Sequence, residues 1–257
     1  MRNRCGGRGH RLVDFRGAAS FGARSLSRPI LRSSGDRARR SGGVTPKYRL
    51  VFFDVDSTLV TIEGIDVLAA GNPEVARLTA AAMNGEIPLD QVFQRRLEIV
   101  RPTRADVDAL GRQYIECLVD GAAETITALR DAGAAIHFVT AGIEQAVLPL
   151  AAHLGVNSRH VHAVRLRFGP AGEYEDFDRR SPLTRPRGKE LVVRDVRARS
   201  HGRAAFIGDG ASDLEAKPAV DLFVGFGGVH TRPRVKDNAH VFVEEKRLTA
   251  VLPYLIS

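Results

Sequence analysis

The sequence predicts an α/β protein: a parallel sheet with helices on both faces, a small helical cap inserted after the first strand, and a β-hairpin insertion further on. Three observations predict it. The apolar run Leu50-Val51-Phe52-Phe53 breaks off at Asp54-Val55-Asp56-Ser57-Thr58, which reads as a buried strand delivering polar groups at its C-terminal end. Residues 66–119 then carry helical periodicity almost throughout, with no strand candidate. From residue 121 onward, helical stripes alternate with short apolar runs, the pattern of strand–helix–strand crossovers.

Each element has a local reason. Asn72-Pro73-Glu74 is a helix start, with Asn as the cap, Pro at the first helical position and an acid in the first turn. Val75, Leu78, Thr79 and Ala82 follow it at helical spacing, and Leu89, Val92, Phe93, Leu97 and Val100 form a second stripe. Thr103 caps a third helix, with Val107, Leu110, Tyr114, Ile115 and Leu118 on one face. A helix over 122–131 closes at Gly133, and residues 135–139 form a strand that ends at Thr140-Ala141-Gly142. The next helix carries Pro149, where a kink or early break is expected. The alternating run 161–168 and the turn Gly169-Pro170-Ala171-Gly172 predict a hairpin returning over 174–177. Lys189 falls at a helix start, residues 204–207 form a strand ending on Gly208-Asp209-Gly210, and residues 222–226 and 240–243 supply two more strands. This divides the chain into a basic extension at 1–47, a Rossmann-like core at 48–65 and 120–257, and a helical cap at 66–119.

Charge bounds the possible partners. The whole chain of 257 residues carries a formal charge of +8, which by itself suggests nucleic acid. The excess sits in residues 1–47, where eleven arginines and Lys47 face only Asp14 and Asp36; the remainder has 26 basic and 28 acidic residues. That Arg- and Ser-rich stretch reads as a disordered extension, ahead of an organellar transit peptide or an upstream start codon. Its aromatic residues are limited to Phe15 and Phe21 and it contains no recognisable module, so no nucleic-acid partner is expected. No apolar run approaches the ~20 residues of a membrane span. Cys5 and Cys117 give neither a disulfide framework nor zinc spacing. A cytoplasmic protein is expected, and monomer and homodimer stay equally open.

The chemistry lies at the strand ends. Asp54/Asp56, Thr140 and Asp209/Asp213 follow predicted strands, and Lys189 opens a helix. Asp54 reads as a nucleophile and Asp56 as its acid–base partner. Carboxylates from two strands offer hard oxygen ligands that suit Mg²⁺ better than zinc. A hydroxyl followed by N–H groups at a helix start makes an anion cradle. Together these groups describe phosphoryl transfer, in which catalysis is mainly positioning and charge stabilisation.

In order and spacing, Asp54-Val55-Asp56-Ser57-Thr58, Val139-Thr140-Ala141-Gly142, Lys189 and Ile207-Gly208-Asp209-Gly210-Ala211-Ser212-Asp213 resemble the four motifs of the haloacid dehalogenase-like phosphatases. Within that superfamily the chain is similar to the phosphoserine phosphatases over most of 49–243. The further signals are Glu63-Gly64-Ile65-Asp66, Ala82-Met83-Asn84-Gly85 with Pro88, Arg96-Leu97 and Gly225-Phe226-Gly227-Gly228. The resemblance implies an aspartyl-phosphate mechanism on O-phosphoserine, the last step of serine biosynthesis. It implies Mg²⁺ on the Asp54 side chain, the Asp56 main-chain carbonyl and Asp209, with phosphate held by Thr140, Ala141 and Lys189. It also sets Glu63 against the substrate ammonium and Arg96 against its carboxylate, with Met83 and Ser212 nearby and Asp213 in support of Lys189 or a metal-bound water. Without the resemblance, Glu63 and Arg96 read as a solvated pair, Met83 as a core residue and Ser212 as a helix cap.

Four positions depart from the family pattern. Thr140-Ala141-Gly142 replaces the usual Ser-Gly-Gly, Asn84 stands where Gly is usual, and Leu89 where an aromatic residue is common. These changes leave open another small phosphomonoester, or phosphoryl transfer to a hydroxylated acceptor. A non-catalytic binding protein on the same fold is the remaining alternative.

Overall fold

The computed structural model describes residues 44–257. The expectations for residues 1–43, including most of the basic extension and Cys5, lie outside them. The described residues build one six-stranded parallel sheet and a separate two-stranded antiparallel sheet. β1 (Leu50–Phe53) is followed by α1 (Gly64–Leu68), α2 (Pro73–Asn84), α3 (Leu89–Val100), α4 (Arg104–Glu116) and α5 (Ala122–Asp131) before β2 (Ala135–Ile143). α6 (Glu144–His153), β3 (Val161–Val164), and the hairpin β4 (Leu166–Phe168) and β5 (Tyr174–Phe177) come next. The chain closes with α7 (Gly188–Ala198), β6 (Ala204–Gly208), α8 (Ala211–Leu214), β7 (Leu222–Phe226), α9 (Pro233–Asn238), β8 (Val241–Val243) and α10 (Leu252–Leu255).

The sheet order is β3-β2-β1-β6-β7-β8. β1 therefore lies centrally, with Leu50 opposite Ala135 of β2 and Ala204 of β6. All four β1 residues are buried, as a strand covered on both faces requires. The chain winds outward from β1 to β3, then returns to β6 on the other side. The strand order reverses between β1 and β6, and open α/β sheets bind ligands outside the carboxyl ends of strands at such a switch point. Asp54 follows β1 there, and Asp209 follows β6.

The helical insertion enters and leaves on adjacent strands of chain. Val60 pairs with Leu118 in an antiparallel bridge, and Val119 N–H donates to the Leu59 carbonyl. The local signals for its helices act as expected: Asn72 Oδ1 accepts from the Glu74 and Val75 N–H groups, and Thr103 forms a reciprocal capping box with Asp106. Two expectations need correction. α6 runs unbroken through Pro149. That proline is exposed, while α4 packs closely on the helix, with Gly111 set against the Ala146 carbonyl and the Pro149 ring; packing outweighs the one lost hydrogen bond. The alternating run 161–168 also divides: β3 joins the main sheet beside β2, and only residues 166–168 pair with β5. Alternation marks half-buried strands without saying which sheet they join. Among the described residues, no helix is long and apolar enough to cross a membrane.

Candidate active site

β1 delivers Asp54 at the switch point, where its N–H donates to the Ile207 carbonyl of the adjacent strand. The chain then folds back tightly: the N–H groups of Thr58, Leu59 and Val60 all donate to the Val55 carbonyl. Ser57 inside this turn takes a left-handed φ of 54°, uncommon for a residue with a side chain. The turn aims Ser57 Oγ at Glu63 Oε1, 2.7 Å away, and Thr58 Oγ1 at Asp209 Oδ1, 3.3 Å away.

α7 supplies the cation. Gly188 lies so close to the turn at Pro182 that a side chain there would meet the Pro182 carbonyl oxygen at 2.0 Å; its absence lets the helix start close up and bury Lys189. Lys189 Nζ sits 2.8 Å from Asp54 Oδ1 and 2.5 Å from Asp213 Oδ1. The contact with Asp54 has ion-pair distance without hydrogen-bond geometry. Asp213 in turn accepts the Gly210 N–H at 2.9 Å. Thr140 Oγ1 accepts the Gly142 N–H at 2.9 Å. That N–H is thus committed to the loop, and the Thr140 hydroxyl proton is left to donate to an incoming anion.

One pocket joins these groups to the insertion. Its walls include Asp54, Asp56, Glu63, Thr140, Ala141, Lys189 and Ser212 from the core side, and Met83 and Arg96 from the insertion. Asp209 and Asp213 lie behind them, bonded to Thr58 and Lys189 respectively. Arg96 is only 7 % exposed. Its Nη1 donates to Thr79 Oγ1 at 3.3 Å, the Thr79 hydroxyl donates to Asp66 Oδ1 at 2.6 Å, and Nε has no partner. The unpartnered buried donor marks a place where an acceptor can bind.

Burial dominates the electrostatics. It pushes Asp56 up to about 7, with the Asp54 charge adding to the rise and a Tyr114 hydrogen bond opposing it. It raises Glu63 to about 8, helped by the Asp56 charge and opposed by Ser57 and Arg232. Asp209 and Asp213 rise to about 7 and about 8 for the same first reason. Lys189 is raised as well: burial alone would pull it down, but the charges of Asp213 and Asp54 outweigh that and hold it ionised.

Carboxylate oxygens of Asp54, Asp209 and Asp213 lie within 4.8 Å of one another, all three residues buried. Three hard, clustered oxygen donors fit a divalent cation. The Asp56 side chain is not in that cluster.

Residues 48–220 match the family model for a haloacid dehalogenase-like hydrolase. The chain belongs to the haloacid dehalogenase-like hydrolase family. Relatives of this haloacid dehalogenase-like hydrolase include the phosphoserine phosphatase of Mus musculus, 36% identical over 76% of this chain and 88% of that one. The chloroplastic phosphoserine phosphatase of Arabidopsis thaliana is 37% identical over 74% of this chain and 66% of its own. Among solved structures, a phospho-aspartyl intermediate analogue of phosphoserine phosphatase superposes with a TM-score of 0.71 at 26% identity, covering 81% of this chain and 99% of that one.

Sequence reasoning missed three contributors to this site. Arg232, before α9, places Nε 2.9 Å from Asp209 Oδ2, Nη2 3.5 Å from Glu63 Oε1 and Nη1 3.5 Å from Asn84 Oδ1. Nothing local distinguishes it from the other exposed-looking arginines of a basic chain. Tyr114 appeared only as one member of a helical stripe, yet it lines the pocket with Asp56. Ser57 was part of the first motif, but its bond to Glu63 depends on a turn that sequence does not reveal.

Proposed function

We propose that this chain hydrolyses O-phospho-L-serine to L-serine and phosphate through an aspartyl phosphate on Asp54, with Mg²⁺ as cofactor. One observation carries the substrate assignment: half-buried Glu63, an acceptor for an ammonium, and buried Arg96, a donor for a carboxylate, share a pocket with Asp54 and Thr140. A phosphomonoester bearing an ammonium and a carboxylate on one carbon is complementary to that set. The relatives named as phosphoserine phosphatases support the same reading.

In the first step an Asp54 carboxylate oxygen attacks phosphorus, the bond from phosphorus to the serine oxygen breaks, and Asp56 gives its proton to that oxygen. In the second, water attacks phosphorus, the bond to Asp54 breaks, and Asp56 takes up the water's proton. A carboxyl with its affinity raised to about 7 is suited to both directions of transfer near neutral pH. Lys189 offsets charge on the phosphoryl oxygens, and Thr140 donates its free hydroxyl proton to one of them. Asp54, Asp209 and the Asp56 carbonyl, with Asp213 beside them, would hold Mg²⁺, which would supply neutralisation between the carboxylate nucleophile and an anionic substrate. Residues 66–119 act in this reading as a cap over a core of 48–65 and 120–257.

A second reading keeps the chemistry and changes the substrate. Thr140 and Ala141 add methyl groups to the phosphate loop, so another small phosphomonoester, or a hydroxylated acceptor in place of water, would be preferred. Phosphate release by the full chain from O-phosphoserine, O-phosphoethanolamine and sugar phosphates, with Mg²⁺ and with EDTA, separates the two. A clear preference for O-phosphoserine that EDTA abolishes is expected. Turnover of O-phosphoserine no better than that of sugar phosphates would reject the first reading.

A further inference from the structure

The guanidinium that would receive the substrate carboxylate is held from behind by two side chains outside the four motifs. Arg96 on α3 donates through Nη1 to Thr79 Oγ1 on α2 at 3.3 Å, and the Thr79 hydroxyl donates to Asp66 Oδ1 on α1 at 2.6 Å. Thr79 and Arg96 are buried, and Asp66 is half-buried. Arg96 lines the pocket, whereas neither Thr79 nor Asp66 does.

The direction of these bonds is fixed by what each group can do. A guanidinium only donates, so Thr79 Oγ1 accepts from Arg96 and its one proton is spent on Asp66. A threonine inside a helix either points its hydroxyl to solvent or turns it back on the carbonyl four residues earlier. Thr79, midway along α2, instead bonds sideways to α1 and α3. With Nη1 committed to Thr79 and Nε buried without a partner, the edge formed by Nε and Nη2 is the one left for a carboxylate, which such a fork takes with two parallel bonds. The far end of the chain of bonds is anchored too. The Asp66 N–H donates to the Glu63 carbonyl at 3.1 Å, so the turn that steadies the arginine also carries the acid that would receive the ammonium.

We propose that Thr79, itself held by Asp66, is a positioning residue that aims Arg96 at the substrate carboxylate, and so sets the spacing of the two charges by which the pocket selects the phosphoester of an α-amino acid. This role rests on the phosphoserine reading above. Neither Thr79 nor Asp66 touches the substrate, and no bond is made or broken at either. The carboxylate lies away from the reacting phosphorus, so a misplaced guanidinium weakens binding of a carboxylate-bearing ester and leaves the chemistry at Asp54 as it was.

Thr79→Val keeps the shape of the side chain and removes the hydroxyl, whereas Thr79→Ser keeps the hydroxyl. Both are compared with the native chain by steady-state phosphate release from O-phosphoserine and from O-phosphoethanolamine, which lacks the carboxylate. For Thr79→Val, kcat/KM on O-phosphoserine should fall about 5- to 50-fold, mostly through KM, with kcat within about 3-fold; on O-phosphoethanolamine it should stay within about 2-fold. Thr79→Ser should keep kcat/KM on O-phosphoserine within about 3-fold of native. In an Arg96→Gln background, Thr79→Val should cost less than about 2-fold more, because a residue that acts through Arg96 has nothing left to aim. A merely structural tie between the helices would lower both substrates alike. Equal losses on both esters, a full loss that persists in Arg96→Gln, or no loss on either ester would overturn the assignment. Should Thr79→Val fail to fold, Asp66→Leu removes the acceptor of the Thr79 proton from outside the pocket and is expected to show the same selective loss, with the same results against it. A native chain that prefers O-phosphoserine while the variant loses equally on both esters keeps the substrate reading and drops Thr79. A native chain with no preference for O-phosphoserine overturns both.

Discussion

Replacing Arg96 by Gln tests the substrate assignment most directly. In the structure the guanidinium is buried, with Nη1 on Thr79 and Nε unsatisfied. Its burial lowers its proton affinity, against the charges of Glu63, Asp66 and Asp56. A substrate carboxylate would take two parallel charge-assisted bonds from such a group. Truncating one partner of a buried charged pair costs roughly 2–4 kcal/mol, which corresponds to about 30- to 900-fold in kcat/KM. Gln keeps a donor near Thr79, so the Thr79–Asp66 bond at 2.6 Å should survive and the thermal unfolding temperature should change little. The assay is phosphate release from O-phosphoserine and from O-phosphoethanolamine, which has the ammonium and lacks the carboxylate. The large loss should appear with O-phosphoserine alone, leaving O-phosphoethanolamine within about 3-fold. Equal losses on both substrates would show that Arg96 supports the pocket without touching a carboxylate, and no loss on either would remove it from the site.

Three more outcomes follow from the same geometry. Asp54→Asn removes the attacking oxygen's charge while keeping its shape, and should abolish acid-stable labelling and turnover by at least about 10⁴-fold; near-normal turnover would place the nucleophile elsewhere. Thr140→Val keeps the volume and removes both the acceptor for the Gly142 N–H and the free donor, so kcat/KM should fall about 10- to 100-fold by the loss of one or two hydrogen bonds, which steady-state phosphate release measures directly. Between pH 6.5 and 8.5 the metal-free chain should lose thermal stability, because Asp56, Asp209, Glu63 and Asp213 have raised affinities of about 7 to about 8. Their protonated forms favour the folded state; that contribution is complete below the ordinary carboxylate range and is lost as pH rises through 7 to 8. Divalent metal binds the ionised forms, so stabilisation by Mg²⁺ over EDTA should grow across that interval, and a flat thermal profile with a pH-independent metal shift would contradict it.

The sheet was legible because each of its central strands is a short apolar run punctuated by the residue that acts at its end. Leu50–Phe53 stops at Asp54, and Ala204–Gly208 stops at Asp209. Helix starts at Asn72 and Thr103 were legible for an equally local reason, since their caps are written in four residues. The course of α6 through Pro149 was not, because the packing of α4 against it joins segments distant in sequence. The same limit hid Arg232: its contacts with Asp209 and Asn84 span 23 and 148 positions. Tyr114 failed differently. Its place in an apolar stripe explained it fully at the level of periodicity, which does not reveal that the same face also lines the pocket.

The charges at the site also explain why so many acids can be buried together. Asp54, Asp56, Glu63, Asp209 and Asp213 converge on a region whose cations are Lys189, Arg96 and Arg232. Without metal, the upward shifts of four of these acids relieve the repulsion by protonation, and Arg232 lies on Asp209. A divalent cation among Asp54, Asp209 and Asp213 would supply the charge that those protons otherwise provide. It would also free Arg232 from its hold on Asp209 while leaving its contacts with Glu63 on the core side and Asn84 on the insertion. Two states of one pocket then differ in which positive charge faces Asp209. The acid cluster is balanced in either state, by protons in one and by the cation in the other.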